Sequence, residues 1–289
     1  MNTLATFTTL LLIGLASTNL FSEESVTYTG EKDITKLVVI FIREPFKDGE
    51  ATSAYEKIHV FFIEEGKGLF VLKNKQITNL LENGNDISTT YDINNTQLYF
   101  AASDGIYSFN NQENKAEKYG TLTDNTVAVA KYWGTNDLYI LTTDNVVYKV
   151  TEDGTKKEEI TNVKDAQQIV LDSANNLYFV DSKKHVYVRL DVDGTVMSII
   201  GLPANPNVQI MRAPEIIKEA VAVMGGKKNY FAFANGTSRA DSILDKHPIF
   251  AVIVNETSAL LYASQNNKIY EYVQDMLPIV YDSMQDDML

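Results

Sequence analysis

One short pattern recurs along the chain and limits what it can fold into. Leu98-Tyr99-Phe100, Leu138-Tyr139-Ile140, Leu177-Tyr178-Phe179 and Leu261-Tyr262-Ala263 are each followed by a polar turn and a second pair, Ile106-Tyr107, Val147-Tyr148, Val186-Tyr187 and Ile269-Tyr270. Two weaker copies, Phe61-Phe62-Ile63 with Leu69-Phe70 and Val221-Ala222-Val223 with Tyr230-Phe231, complete a series with anchors at 62, 99, 139, 178, 222 and 262. A period near 40 residues made of short β-branched and aromatic runs, bounded by Gly, Asn and Asp, is that of a propeller blade rather than a helical repeat.

The expected architecture is therefore all-β, a six-bladed propeller of four-stranded antiparallel blades. The fourth copy displays all four strands: Gln167 to Leu171, Leu177 to Val180, His185 to Leu190 and Thr195 to Ile200. Asp193-Gly194 and Asp153-Gly154 read as two-residue hairpin turns with both central residues at positive φ. Val26 to Gly30 followed by Leu37 to Ile42 repeats the order of Ala116 to Gly120 followed by Thr126 to Tyr132. The N-terminus is thus expected to supply the outer strand of the last blade, with Pro278 to Tyr281 as the rival. The long polar connection Arg43 to Lys57 interrupts the first blade. Residues 283–289 read as a frayed tail, leaving 23–282 as one domain.

Residues 1–22 hold no charge and carry the short apolar run Leu10 to Leu15, the pattern of a secretory leader without the usual basic start. No later run approaches a membrane span, so the expectation is a secreted, extracellular protein. Three sequons, at Asn94, Asn235 and Asn255, suit that compartment. The formal charge of -13, from 38 acidic and 25 basic residues, excludes the basic footprint of a nucleic-acid binder. With no cysteine there is no disulfide framework or thiol chemistry. His59, His185 and His247 are too scattered for a metal centre and read as structural or surface residues. Trp133, the single tryptophan, ends an inner strand and reads as core.

In a propeller the second-to-third-strand turns share one face with the connections between blades. Those turns carry Glu64 with Glu65, Asp104, Asp144, Asp181, and Gln265 with Asn266. A ring of such carboxylates at the channel mouth would hold a divalent cation or a cationic group. The competing reading is that Asp and Asn stand there as ordinary turn formers. No catalytic signature of a serine hydrolase, zinc protease or phosphate-binding loop is present, and no metal ligand set is assigned. The sequons at Asn94 and Asn255 fall in first-to-second-strand turns and Asn235 follows a third strand, all on the opposite face. Bulky glycans would mark that face as blunt, so ligand entry is expected from the carboxylate side.

Two resemblances bear on function. Leu177-Tyr178-Phe179-Val180-Asp181-Ser182 resembles a blade of the regucalcin and gluconolactonase-type hydrolases, which hold a divalent metal by one Glu, one Asn and one Asp; the Ser-Asn-Gly context of their Asn ligand is absent. Over its mature length the small acidic chain, with its Leu37 to Ile42 opening strand and its Leu-Tyr-Phe series ending in Ile269-Tyr270-Glu271-Tyr272, resembles the ommochrome-binding proteins of lepidopteran haemolymph. That resemblance implies a haemolymph carrier for planar, tryptophan-derived pigments, with neither nucleic acid nor membrane as partner. Such a carrier needs an apolar slot with a few orienting polar groups; Met211, Met224 and the tyrosines are the candidates to line it. Metal-dependent lactonase and extracellular interaction module remain the alternatives.

Overall fold

A computed structural model describes residues 22–42, 57–90, 97–204, 207–213, 219–225, 228–241, 249–254 and 258–275. The leader up to residue 21, the Arg43 to Lys57 connection up to residue 56, Asn94, His247, Asn255, Pro278 to Tyr281 and the tail all lie outside them. The strands form six four-stranded antiparallel sheets, the blades of a propeller with almost no helix. From the channel outward, blade one is Ile34–Ile42, Lys57–Glu64, Gly68–Lys73 and Gln76–Leu81. Blades two to five follow in sequence order, with inner strands Gly84–Thr89, Thr126–Lys131, Ala166–Leu171 and Gln209–Arg212. Blade six combines Ile249–Val254, Ser258–Gln265 and Lys268–Asp275 with the N-terminal strand Val26–Thr29.

The recurrent Leu-Tyr-Phe triplet is the second strand of each blade, and its composition follows from where that strand lies. A second strand is covered on both faces by neighbouring blades, so alternate residues enter different cores. Tyr139 and Leu141 pack with Ile169, Leu177 and Phe179 of blade four. Leu138 and Ile140, on the other face, pack with Tyr99, Ala101 and Ile106 of blade two. Tyr178 and Val180 likewise meet Val221 and Val223 of blade five. In blade one the residue facing forward into blade two is Phe61, packed with Ile87, Leu98 and Phe100, while Phe62 faces back to Tyr262 and Ile269 of blade six. The first anchor is therefore Phe61, one residue before the position that the aromatic pattern suggests. Two adjacent phenylalanines, both fully buried, hide the register from the sequence.

Inner strands leave an unpaired edge along the channel, and side chains of the preceding blade bind it. In blade three the Val129 N–H donates to Asp86 (3.0 Å) and the Lys131 N–H to Ser88 (2.9 Å), both on the inner strand of blade two. Gln168 of blade four accepts from the Ile210 N–H (2.9 Å) and donates to the Val208 carbonyl (2.8 Å). Asp86 also pairs with Lys36 of blade one at 2.7 Å.

The outer edges are joined through the third-to-fourth-strand turns, which carry Asp153-Gly154-Thr155, Asp193-Gly194-Thr195 and Asn235-Gly236-Thr237. The Gly154 carbonyl accepts the Thr121 N–H (3.0 Å), the Gly194 carbonyl accepts Asn162 Nδ2 (2.7 Å), and the Gly236 carbonyl accepts the Ile200 N–H (2.9 Å), each donor belonging to the preceding blade. The loops are longer than two-residue hairpins. Thr151 pairs with Lys156 around residues 152–155, and the Leu190 N–H reaches the Thr195 carbonyl around 191–194. Asp193 does not share the positive φ of Gly194 (74°), and instead accepts the Thr195 N–H at 2.8 Å. In blade three, by contrast, Glu152, Asp153 and Gly154 are all left-handed. Asn235 accepts the Thr237 N–H (3.0 Å) and hydroxyl (2.7 Å), so this sequon is also the blade-five copy of the turn.

The N-terminal closure is the one present. Val26–Thr29 runs antiparallel to Lys268–Asp275, and the backbones of Gly30 and Ile34 donate to Asn267 (2.7 Å) and Asn266 (2.8 Å). The turn from this strand into blade one folds over Glu64. That buried carboxylate accepts the Tyr28 hydroxyl (2.8 Å) and the N–H groups of Glu31 (2.7 Å) and Lys32 (2.8 Å). Burial and then the Glu64 carboxylate hold the Tyr28 hydroxyl protonated well beyond the ordinary tyrosine range. Gly30 leaves the space: a Cβ there would stand 2.9 Å from a Glu64 oxygen.

Two stability measurements follow. Glu64→Ala leaves three donors unanswered and should lower stability by about 2–3 kcal/mol, with Glu64→Gln milder; an unchanged melting temperature for Glu64→Ala would remove the closure role. Gly154→Ala forces a non-glycine residue to φ near +83° with its Cβ 2.8 Å from the Tyr119 carbonyl. It should cost at least about 1–2 kcal/mol, read in a denaturant melt.

Candidate functional site

Of the four acidic candidates, Asp104 and Asp144 stand in second-to-third-strand turns and Glu64 and Asp181 end the second strands that lead into them, and each is held locally. Glu64 caps the closure turn. Asp104 accepts from Asn83 (2.8 Å), Tyr107 (2.7 Å) and Lys118 (3.1 Å), and the Tyr107 bond comes first in holding its carboxyl below the usual range. Asp144 accepts the Thr142 hydroxyl. Asp181 accepts the His185 N–H (2.8 Å) and faces its ring nitrogen at 3.3 Å. The cation-binding ring is not assembled. Among the described residues no three His, Asp or Glu side chains gather into a metal site. The reason is radial: these turns lie more than one strand spacing of about 4.8 Å out from the inner strands, beyond sharing one ion at bonds of about 2.4 Å. They behave as turn formers.

The methionine slot is also filled. Met224 is buried, opposite Gln209 and Asn229 on neighbouring strands. Met211 packs between the Ile34, Leu37 and Tyr262 core and the Ala213, Ala222 and Phe231 core. A shallow open depression lined by Lys73, Asn74, Gln76, Thr78 and Asn114 lies on the outer hairpins of blades one and two, and it is polar rather than an aromatic slot. His59 is a core residue, its ring 6.2 Å from those of Phe61 and Phe109, and His185 is exposed.

Trp133 overturns its expected place. The indole is 52% exposed, one of the few large apolar side chains outside the core among the described residues. It belongs to the first-to-second-strand turn of blade three, at the C-terminal end of the inner strands, and thus on the face that the sequons were expected to mark. Strand alternation ends at Lys131, and the following Tyr132-Trp133-Gly134-Thr135 is loop; Gly134 directly after the tryptophan was the signal available in the sequence.

The backbone of this loop is pinned on every side. Asn175, in the equivalent turn of blade four, accepts the Trp133 N–H (2.6 Å) and donates to the Trp133 carbonyl (3.1 Å). The buried Lys131 ammonium donates to the carbonyls of Tyr132 (2.6 Å) and Thr135 and lies over the Tyr99 ring, and burial pulls its pKa down. Tyr119 donates to the Asn136 carbonyl at 3.3 Å. Tyr132 donates to Asp191 in blade four, and burial followed by that carboxylate raises its hydroxyl to about 12. Asn175 is itself placed by its neighbours: buried Asp172 accepts the N–H groups of Ala174 and Asn176 and the Asn176 amide, each at 2.9 Å. Burial lifts the Asp172 carboxyl above its ordinary range, against those hydrogen bonds. Asn176 in turn accepts the Asp191 N–H (3.1 Å), beside the 86% exposed Val192.

The second feature of this end is Arg212, the last residue of the blade-five inner strand. It donates to the Thr89 carbonyl, the last residue of the blade-two inner strand. Blades two and five are opposite in a ring of six, so the guanidinium crosses the channel. Neither Arg212 nor the Lys131 strut is legible as a site residue from strand patterning, because each looks like an ordinary strand end.

No family model and no curated protein matches the chain. Solved structures do. A putative gluconolactonase superposes with a TM-score of 0.54 at 10% identity, over 86% of this chain and 91% of that one. Virginiamycin B lyase from Staphylococcus aureus gives 0.52 at 15%, over 88% and 97%. PorZ, a bacterial surface component of the type-IX secretion system of Porphyromonas gingivalis, gives 0.53 at 10% over 75% of this chain, which spans 30% of that longer protein. Identities this low establish the shared propeller fold. Among the described residues no helix is long and apolar enough to cross a membrane.

Proposed function

We propose that this protein is a secreted binding protein whose ligand, a small planar aromatic of the ommochrome pigment type, stacks on Trp133 at the mouth formed by the C-terminal ends of the inner strands. The observation that carries the reading is a half-exposed indole on a fully pinned backbone. Leaving an indole in water forgoes about 2–3 kcal/mol of burial. A platform already ordered before binding lowers the ordering cost of association. The whole-chain resemblance to ommochrome-binding proteins supplies the ligand class. Ligand entry is then on the face of Asn235, the reverse of the glycan-based expectation, and sugars would frame the site.

Trp133 is the only tryptophan, so intrinsic indole fluorescence reports this site alone. Protein purified from its source should carry visible pigment absorbance. The stripped protein should show saturable quenching by an ommochrome, and Trp133→Ala should weaken binding by about two- to twelvefold by absorbance titration, an aromatic stack being worth about 0.5–1.5 kcal/mol. A colourless protein with unquenched emission would sink the reading.

The likeness to the putative gluconolactonase favours metal-dependent lactonase as a second reading. In that case lactone hydrolysis should appear with an added divalent ion and vanish on Asp181→Ala. Hydrolysis that persists in the variant would exclude Asp181 as a ligand. With neither activity, the protein is an extracellular interaction module.

A further inference from the structure

We propose that Asn235 carries an N-linked glycan whose first sugars lie over Ile200, the exposed isoleucine at the outer rim between blades four and five; this goes beyond the pigment-binding reading and does not depend on it. Asn235 and Thr237 of the sequon are both exposed. The Asn235 Oδ1 accepts the Thr237 N–H (3.0 Å) and hydroxyl (2.7 Å), and no hydrogen bond among the described residues occupies its Nδ2. In the corresponding turn of blade four, Asp193 holds the Thr195 N–H (2.8 Å) with a carboxylate oxygen. The turn therefore needs only the oxygen, and the amide nitrogen of Asn235 is surplus to it. That nitrogen is the acceptor atom of a sequon. In the transfer it attacks C1 of the first N-acetylglucosamine of a lipid-linked diphosphate oligosaccharide. The Nδ2–C1 bond forms, the C1–O bond breaks, the lipid diphosphate leaves with the electron pair, and the amide gives up one proton.

The neighbour of the turn changes in the same blade as the acceptor. The Gly154 and Gly194 carbonyls, next to Asp153 and Asp193, take their N–H groups from Thr121 and Asn162, both exposed and polar. The Gly236 carbonyl, next to Asn235, takes its N–H from Ile200, which is 64% exposed. An apolar side chain thus replaces a polar one at the one turn of the three that can carry a sugar. The backbone of Ile200 is fixed on both sides, since its carbonyl accepts the Ser238 hydroxyl at 2.8 Å. One hydrogen bond and one residue separate it from Asn235, about 7 Å by backbone spacing, within reach of the first two sugars. The C–H face of a pyranose ring laid on Ile200 takes its apolar surface out of water.

The test expresses the full chain in a secreting eukaryotic host and recovers it from the medium. Glycopeptide mapping is expected to find Asn235 occupied. Asn235→Asp removes the glycan but keeps the turn oxygen, as Asp193 does, and should lower the melting temperature by about 2–4 °C. In an Ile200→Thr background the same substitution should leave the melting temperature unchanged, because the surface under the sugar is gone. Should Asn235→Asp fail to fold, glycosidase trimming of the folded protein gives the same comparison, since glycans at the other sequons cancel between the two backgrounds. An unmodified Asn235, or a chain retained inside the cell, overturns the proposal. An occupied Asn235 with an equal fall in both backgrounds overturns the contact with Ile200. Neither result alters the Trp133 site, which pigment quenching reads separately.

Discussion

Each blade is a small sheet that is apolar on both faces, and everything else depends on burying both at once. One sheet alone cannot do this, and a row of sheets leaves two faces wet. A closed ring leaves none. The second strands, whose residues alternate between a forward and a backward core, are where this demand is concentrated, which is why their composition survives when the rest of the blade diverges. Closure then becomes a condition of stability. The N-terminal strand completes blade six, and Glu64 gathers the turn that carries the chain on into blade one.

The polar bonds between blades answer a different constraint. Packing apolar faces does not set how far one blade slides along the next. Asp86, Ser88 and Gln168 bind the inner edge of the following blade, and the glycine turns take an N–H from the preceding one at the rim. Together they fix the relative height of successive blades at two radii. That rigidity lets a loop such as Trp133 to Asn136 be held by groups from blades two and four as well as its own, and lets Arg212 find a carbonyl on the opposite wall.

The contrast between the two channel mouths is instructive. Turn carboxylates look like a ligand set in one dimension because they recur at a fixed place in each repeat. Recurrence in a propeller places them on a wide circle, each beside its own hydroxyl, amide or lysine. Arg212, which does cross the channel, comes from the end of an inner strand, where the repeat carries no shared chemistry.

How much was legible follows from the range of the interaction involved. Blade number, strand order and the N-terminal closure are readable because they rest on local periodicity: short alternating runs, turn residues and a spacing near 40. The slip from Phe62 to Phe61 shows the limit of that reading, since two adjacent phenylalanines are both buried and only the neighbours on either side tell their faces apart. The roles of Glu64, Met211 and Met224 as supports, the exposure of Trp133, and the reach of Arg212 to Thr89 were decided by the tertiary structure alone. Each depends on what a different blade presents at that point, at separations such as the 123 residues between Arg212 and Thr89. The sequence by itself determined a ring of six; only the folded ring decided which side chains meet across it, because contacts between blades arise from the angle and height of packing and leave no period along the chain.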